Sequence, residues 1–127
     1  MKIDRVAAEG RNLFTGYGEG YVVVNGQRIT RSVLVTATRI DDWNVPSVDA
    51  LTPAHVAALL EASPQIVLVG SGPRFAFPDP AAMAPLYAAR IGVEVMDTPA
   101  ACRTFNILLA EDRNVVAALI VRPAEGA

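Results

Sequence analysis

The chain has 127 residues, and 52% of them are apolar, which is enough for the core of a single globular domain. The formal net charge of −2 argues against a general nucleic-acid-binding protein, because such proteins need a basic face to contact phosphates. A single cysteine excludes an internal disulfide and, with a single histidine, argues against a structural zinc site. No apolar run is long enough for a transmembrane helix and the first residues lack the apolar core of a signal peptide, so the cytoplasm is the expected compartment.

Both ends of this one domain, residues 1–127, are predicted to lie outside its packed core. Residues 1–16 begin a glycine-rich stretch that we interpret as a surface arm anchored by Leu13 and Phe14. Residues 122–127 are interpreted as a flexible tail.

A β-hairpin is the first regular structure that the sequence predicts. Tyr21–Val24 is a β-rich run, Asn25-Gly26 is the turn, and the returning strand is predicted over residues 27–36. Asn-Gly favours such a turn because both of its residues must tolerate positive φ. A free edge of this hairpin can pair with a second copy, so a homodimer is one state that the sequence allows.

Residues 38–49 are predicted to form a loop that contains Trp43. A tryptophan in a loop either anchors an interface or covers the core, and we favour the second interpretation. Thr52 then caps a helix predicted over residues 53–62. His55 lies near the first turn of this helix with no acid or nucleophile close in sequence, so we expect a solvated side chain.

From residue 51 onward, predicted helices alternate with short apolar strands. The strands are predicted at residues 66–69, 93–96 and 115–121, and helices at residues 80–91 and from residue 98 onward. This alternation predicts an α/β fold with parallel strands at the centre of the sheet. The N-terminal hairpin adds antiparallel strands, so we expect a mixed sheet with helices packed on it.

The last helix has one apolar and one polar face. Thr98 suits the N-cap and Pro99 the first helical position. The apolar stripe consists of Ala101, Cys102, Phe105, Leu108 and Leu109. On the polar face, Arg103 lies near the positive end of the helix dipole, and Asn106 is a weak helix former in mid-helix. These two side chains either face a partner or an anion, or they pair with neighbouring loops.

Two loops are expected to form a small polar pocket, because ligands of α/β sheets gather at the carboxyl ends of the strands. They are Gly70-Ser71-Gly72 after one strand and Asp97-Thr98 after the next. The free N–H groups at the start of the second helix suit an anion, and Arg74 or Arg103 would supply positive charge. The alternative is that these glycines only form a turn.

Neither loop carries a catalytic signature. The Gly-Ser-Gly sequence is neither a Walker loop nor a dinucleotide fingerprint, and Ser71 does not lie in a nucleophile elbow. Cys102 fits a buried small hydrophobe better than an activated thiolate. No carboxylate pair and no metal-ligand spacing is recognisable, so no catalytic residue, metal or cofactor is predicted.

Several segments together resemble a known family. They are the Asn25-Gly26 hairpin, the Trp43 loop, the strand ending in Gly70-Ser71-Gly72, and above all Met96-Asp97-Thr98, Ala100-Ala101, Arg103-Thr104-Phe105-Asn106 and Glu111-Asp112-Arg113. The family is that of the Mth938-like proteins of unknown function, which includes mitochondrial complex I assembly factor 3 and the adipogenesis-associated human protein. The resemblance covers about residues 14–122. It departs at Phe105, where tyrosine is expected, and at Ser71, where threonine is common.

The resemblance implies a three-layer α/β fold with a mixed central sheet and no established catalytic activity. The mitochondrial relative acts through a protein partner, so the leading hypothesis is a non-catalytic interaction or assembly-factor-like module. The alternative is a small-molecule or anion-binding protein, or a minor enzyme, that uses the Gly70–Gly72 and Thr98 loops. The expected ligand or partner surface consists of Gly70, Ser71, Gly72, Arg74, Thr98, Arg103 and Asn106.

Overall fold

The computed structural model describes residues 10–122, which form eight strands and three α-helices. In chain order they are β1 (Phe14–Gly18), β2 (Tyr21–Val24), β3 (Gln27–Ile29), β4 (Val33–Val35), β5 (Ile40–Asp42), α1 (Pro53–Ala57), β6 (Ile66–Gly70), α2 (Pro80–Ala88), β7 (Gly92–Met96), α3 (Thr98–Ala110) and β8 (Val115–Leu119). None of these helices is long and apolar enough to cross a membrane.

The larger sheet has the strand order β5-β4-β8-β6-β7. Strands β7, β6 and β8 are parallel, whereas β4 is antiparallel to β8 and β5 is antiparallel to β4. The predicted mixed sheet with a parallel centre is therefore confirmed. Strands β6 and β8 are buried along their whole length, as expected for central strands covered on both faces.

Alternate residues of β8 enter two separate cores, because side chains alternate across a strand. Val115 and Ala117 face the core that contains the apolar stripe of α3. Val116 and Ala118 face the core that contains α1, α2 and Trp43. The fold thus has three layers, with the larger sheet in the middle.

The smaller sheet, of order β1-β2-β3, is antiparallel and shares the first of these cores. The predicted turn is present, with φ of 52° at Asn25 and 82° at Gly26. The returning strand ends at Ile29, however, whereas the sequence predicted strand to residue 36. The buried Ser32 hydroxyl accepts from the Val121 N–H at 3.0 Å and donates to the Val45 carbonyl at 2.7 Å, so the chain crosses there to the larger sheet.

The predicted surface arm lies only partly within the described residues. Leu13 and Phe14 are buried as expected, but Phe14 begins strand β1 instead of continuing an irregular arm. Residues 1–9 of the arm and residues 123–127 of the predicted tail lie outside the described residues.

Trp43 covers the core, as favoured from the sequence. It is buried, and its Nε1–H donates to the His55 carbonyl at 3.3 Å. The loop before it contains the short edge strand β5, which the sequence did not indicate. His55 is half-buried and completes a capping box with Thr52, whose N–H donates to His55 Nδ1 at 3.1 Å.

Candidate functional site

The structure brings the two predicted loops together at the carboxyl edge of the parallel strands. The Thr98 N–H donates to the Gly72 carbonyl at 2.8 Å. The Thr98 hydroxyl accepts from the Gly72 N–H at 2.9 Å and donates to the Ile120 carbonyl at 2.8 Å. Thr98 therefore fastens the start of α3 to the chain that leaves β6 and β8.

The space between the loops is filled by protein. A Cβ atom added to Gly70 would lie 2.8 Å from both Leu119 Cδ2 and Thr98 Oγ1, and 3.1 Å from Thr98 Cα. The glycine at position 70 is thus explained by the close approach of Thr98 and Leu119.

The first turn of α3 offers no free N–H group to an anion. The N-cap is Asp97 and not Thr98 as predicted, since the Asp97 carboxylate accepts from the Ala100 N–H at 2.8 Å. The Ala101 N–H donates to the Asp97 carbonyl at 3.0 Å, and Pro99 has no N–H. With the Thr98 amide bonded to the glycine loop, every donor of this turn is used.

Ser71 organises the loop that follows β6. Its hydroxyl donates to the Arg74 carbonyl at 2.8 Å and accepts from the Ala76 N–H at 3.1 Å. Both hydrogen bonds are structural, so this side chain holds the loop in one shape and is not placed as a nucleophile.

The loop held by Ser71 exposes two aromatic side chains that were not among the predicted surface residues. Phe75 is 52% exposed and Phe77 is 76% exposed. Their rings pack edge to face with centroids 4.7 Å apart. The sequence gives one indication of these rings, since both phenylalanines lie between two prolines in a segment outside any helix or strand.

Asn106 and Arg103 have different environments. Both ends of the Asn106 amide bond to the main chain of Phe14, so this side chain pairs with a neighbouring strand. Arg103 is exposed, donates to the Tyr17 hydroxyl at 2.6 Å, and has its guanidinium carbon 5.7 Å from the Tyr17 ring centroid. Of the predicted surface residues, Arg74 and Arg103 are exposed, while Gly70, Ser71, Gly72 and Thr98 are buried.

A cleft of about 320 Å³ lies outside the two loops, between them and the turn that joins β1 to β2. Gly72, Thr98 and Ile120 line the cleft together with residues 17–22 and Arg122. Most of the lining is apolar. The cleft is therefore suited to an apolar group, in contrast to the small polar pocket that the sequence predicted.

Cys102 is buried in the core beneath α3. Burial raises the pKa of its thiol to about 12, and the positive charge of Arg103 opposes that rise only in part. The thiol is therefore protonated at neutral pH and is not a nucleophile. Among residues 10–122, no cluster of histidine, cysteine or carboxylate side chains could hold a metal ion.

Comparisons with known proteins cover most of the chain. The family described as "Protein of unknown function (DUF498/DUF598)" matches residues 14–120. NADH dehydrogenase (ubiquinone) 1 alpha subcomplex assembly factor 3 from Bos taurus is 37% identical over 109 residues, which are 84% of this chain and 59% of that protein. The chain thus spans about three fifths of the length of this relative.

Solved structures share the fold. A crystal structure of a protein from Bordetella parapertussis has 39% sequence identity and a TM-score of 0.81, covering 88% of this chain and 97% of that one. The solution structure of a Mth938-like domain from Bordetella pertussis has 33% identity and a TM-score of 0.76, covering 89% of this chain and 87% of the other.

Proposed function

Because the chain belongs to the DUF498/DUF598 family, with Mth938-like structures as its neighbours, we propose that it is a non-catalytic, assembly-factor-like module that acts by binding another protein. The support from relatives is that the bovine one is named as an assembly factor of NADH dehydrogenase. The identity of the partner, a homodimer and a cytoplasmic location stay predictions.

One observation carries the proposal. Near the carboxyl edge of the sheet, the polar groups of the two predicted loops are bonded within the fold, whereas several exposed side chains are arginines and aromatics. The exposed set consists of Tyr17, Arg74, Phe75, Phe77 and Arg103. Aromatic residues and arginine are the types enriched in the energetic centres of protein interfaces.

Affinity purification of the tagged chain from its native cells tests this proposal. The wild type is expected to recover a stable protein complex, and Arg103→Glu is expected to weaken it by charge reversal. Arg113→Glu is the matched control, because Arg113 is also exposed but follows the other end of α3. Recovery of this chain alone by the wild type would contradict the proposal.

A second candidate function, supported by the 320 Å³ cleft, is the binding of a small molecule or a minor enzymatic activity. Ligand sites begin at about 300 Å³, so the cleft is large enough for a small ligand. The bonded donors of the α3 first turn favour a largely apolar ligand over an anion.

A thermal-shift screen tests this second candidate with nucleotides, phosphates, carboxylic acids and neutral aromatic compounds. A compound that binds in the cleft should raise the midpoint of wild-type unfolding, but not that of Pro73→Trp, in which a larger side chain narrows the cleft. If no compound in the panel shifts the wild type, the second candidate loses its support.

A further inference from the structure

We propose that Phe75 and Phe77 form the anchor by which this chain binds its protein partner, and that they enter an apolar pocket of the partner whose rim carries an acidic side chain. The inference rests on the proposed protein-binding function and adds the anchoring surface and the chemistry of the partner.

These two rings are exposed, whereas the other phenylalanines of the chain are buried. The sequence contains four. Phe14 and Phe105 are buried and pack edge to face in the core with centroids 5.2 Å apart. Phe75 and Phe77 form a similar pair at 4.7 Å but on the surface. An exposed pair of aromatic rings supplies the residue type that is enriched in protein interfaces.

The loop that carries the pair is held in place before any partner binds. The single hydroxyl of Ser71 bonds to Arg74 and Ala76, the residues on either side of Phe75. Pro73 and Pro78 restrict the backbone at the two ends, and Pro78 is buried. Since the loop is already ordered, less conformational entropy is lost on binding.

The positive charge of Arg74 beside the rings indicates which charge the partner surface should carry. The Arg74 guanidinium is exposed and makes no ion pair with any residue from 10 to 122. The nearest carboxylate in sequence, that of Asp79, caps α2 by accepting from the Ala81 N–H at 2.9 Å. The loop therefore presents a positive charge that a carboxylate at the rim of the partner's pocket would complement.

A protein partner fits this surface better than a lipid bilayer. Binding of segments to anionic membranes depends on clusters of about four to eight basic residues. The segment from residue 73 to residue 80 contains one arginine and one aspartate, so it has no net charge. A rigid pair of aromatic rings with one arginine instead matches the anchor residues of protein interfaces.

The experiment compares variants against the protein that the wild type recovers, once that protein is purified. The double variant Phe75→Ala/Phe77→Ala is expected to raise the dissociation constant at least about tenfold, and Arg74→Glu about threefold or more. Tyr87→Ala and Ile40→Ala are the matched controls, because these side chains are 57% and 38% exposed on α2 and β5 and should leave affinity unchanged. Circular dichroism and thermal unfolding verify that every variant is folded.

Three outcomes would overturn the inference, and they are distinguishable. If the wild type recovers no partner, the proposed function fails and the inference fails with it. If the double variant binds the partner as tightly as the wild type does, only the anchor is wrong. If the wild type sediments with phosphatidylglycerol–phosphatidylcholine vesicles and the double variant does not, the rings dock on lipid and not in a protein pocket.

Discussion

Asn106 of α3 holds the main chain of Phe14 in β1 through both ends of its side-chain amide. Asn106 Oδ1 accepts from the Phe14 N–H at 2.9 Å, and Asn106 Nδ2 donates to the Phe14 carbonyl at 2.8 Å. Asparagine is a weak helix former, but its amide carries a separate donor and acceptor, which here match the N–H and the carbonyl of one residue. This pair of hydrogen bonds joins the smaller sheet to α3. The presence of asparagine at this position is therefore explained by a tertiary contact and not by helix propensity.

Replacing Asn106 by alanine should lower the free energy of unfolding by about 1–2 kcal/mol. Two hydrogen bonds to a partly buried strand are lost, and the better helix propensity of alanine offsets only part of that loss. Urea denaturation followed by circular dichroism measures the change. Ile107→Ala, at an exposed position on the same helix, should stay within about 0.5 kcal/mol of the wild type. An Asn106→Ala variant as stable as that control would contradict the role of the amide.

Thr98→Val should destabilise the fold by about 2–3 kcal/mol, because a buried N–H at Gly72 and a buried carbonyl at Ile120 both lose their partner. Thr98→Ser keeps the hydroxyl and should cost less than about 1 kcal/mol. Guanidinium denaturation of the three proteins compares them directly. A serine variant that is less stable than the valine variant would show that the methyl group, and not the hydroxyl, supports this junction.

Gly70→Ala should destabilise the protein by about 2 kcal/mol or more, since the new methyl group would overlap Leu119 and the fixed Thr98. Gly16→Ala is the control, because its Cβ would meet only Val23 at an ordinary contact distance of 3.6 Å. The midpoint of thermal unfolding should fall clearly for the first variant and barely for the second. Similar midpoints for the two variants would mean that the packing between β6 and α3 rearranges to accommodate the methyl group.

The buried thiol of Cys102 should make stability decrease in alkaline solution. Its pKa is raised from 9.0 to about 12 on folding, so between these values the unfolded chain releases a proton that the folded chain retains. The group's contribution is fully present below pH 9 and is lost as pH rises toward 12, with a slope of at most about 1.4 kcal/mol per pH unit. Cys102→Ala lacks this contribution, so the stability difference between the wild type and the variant should change in favour of the variant above pH 9. Parallel curves of unfolding free energy against pH would contradict the expectation.

Several local features could be predicted because their causes lie within a few residues of one another. The Asn25-Gly26 turn follows from the need for positive φ, which both residues adopt. The continuous apolar run of β6 indicated a strand covered on both faces, and it is buried throughout. The 3.6-residue periodicity of α3 placed Phe105 and Leu109 in the core.

The candidate site was harder to predict, because its groups are satisfied by residues distant in the chain. The sequence placed Thr98 beside the glycine loop, and the structure agrees, but Ile120 also bonds to Thr98 and completes the closure. Arg74 was expected to supply charge to a pocket, whereas it lies exposed beside two phenylalanines. No local pattern distinguishes an exposed phenylalanine from a buried one when the segment has no helical or strand periodicity.

The sequence by itself determined the central strands β6, β7 and β8 and the inward face of α3, since these follow from apolar runs, side-chain periodicity and cap residues. Only the tertiary structure decided which polar groups remain available for binding, because hydrogen bonds form between groups that are close in space. From the sequence alone, the Asn106 amide could have bound a partner. In the structure it bonds to Phe14 of β1, 92 positions away in the chain. The groups left without internal partners are the candidates for binding, and here they include exposed arginine and aromatic side chains.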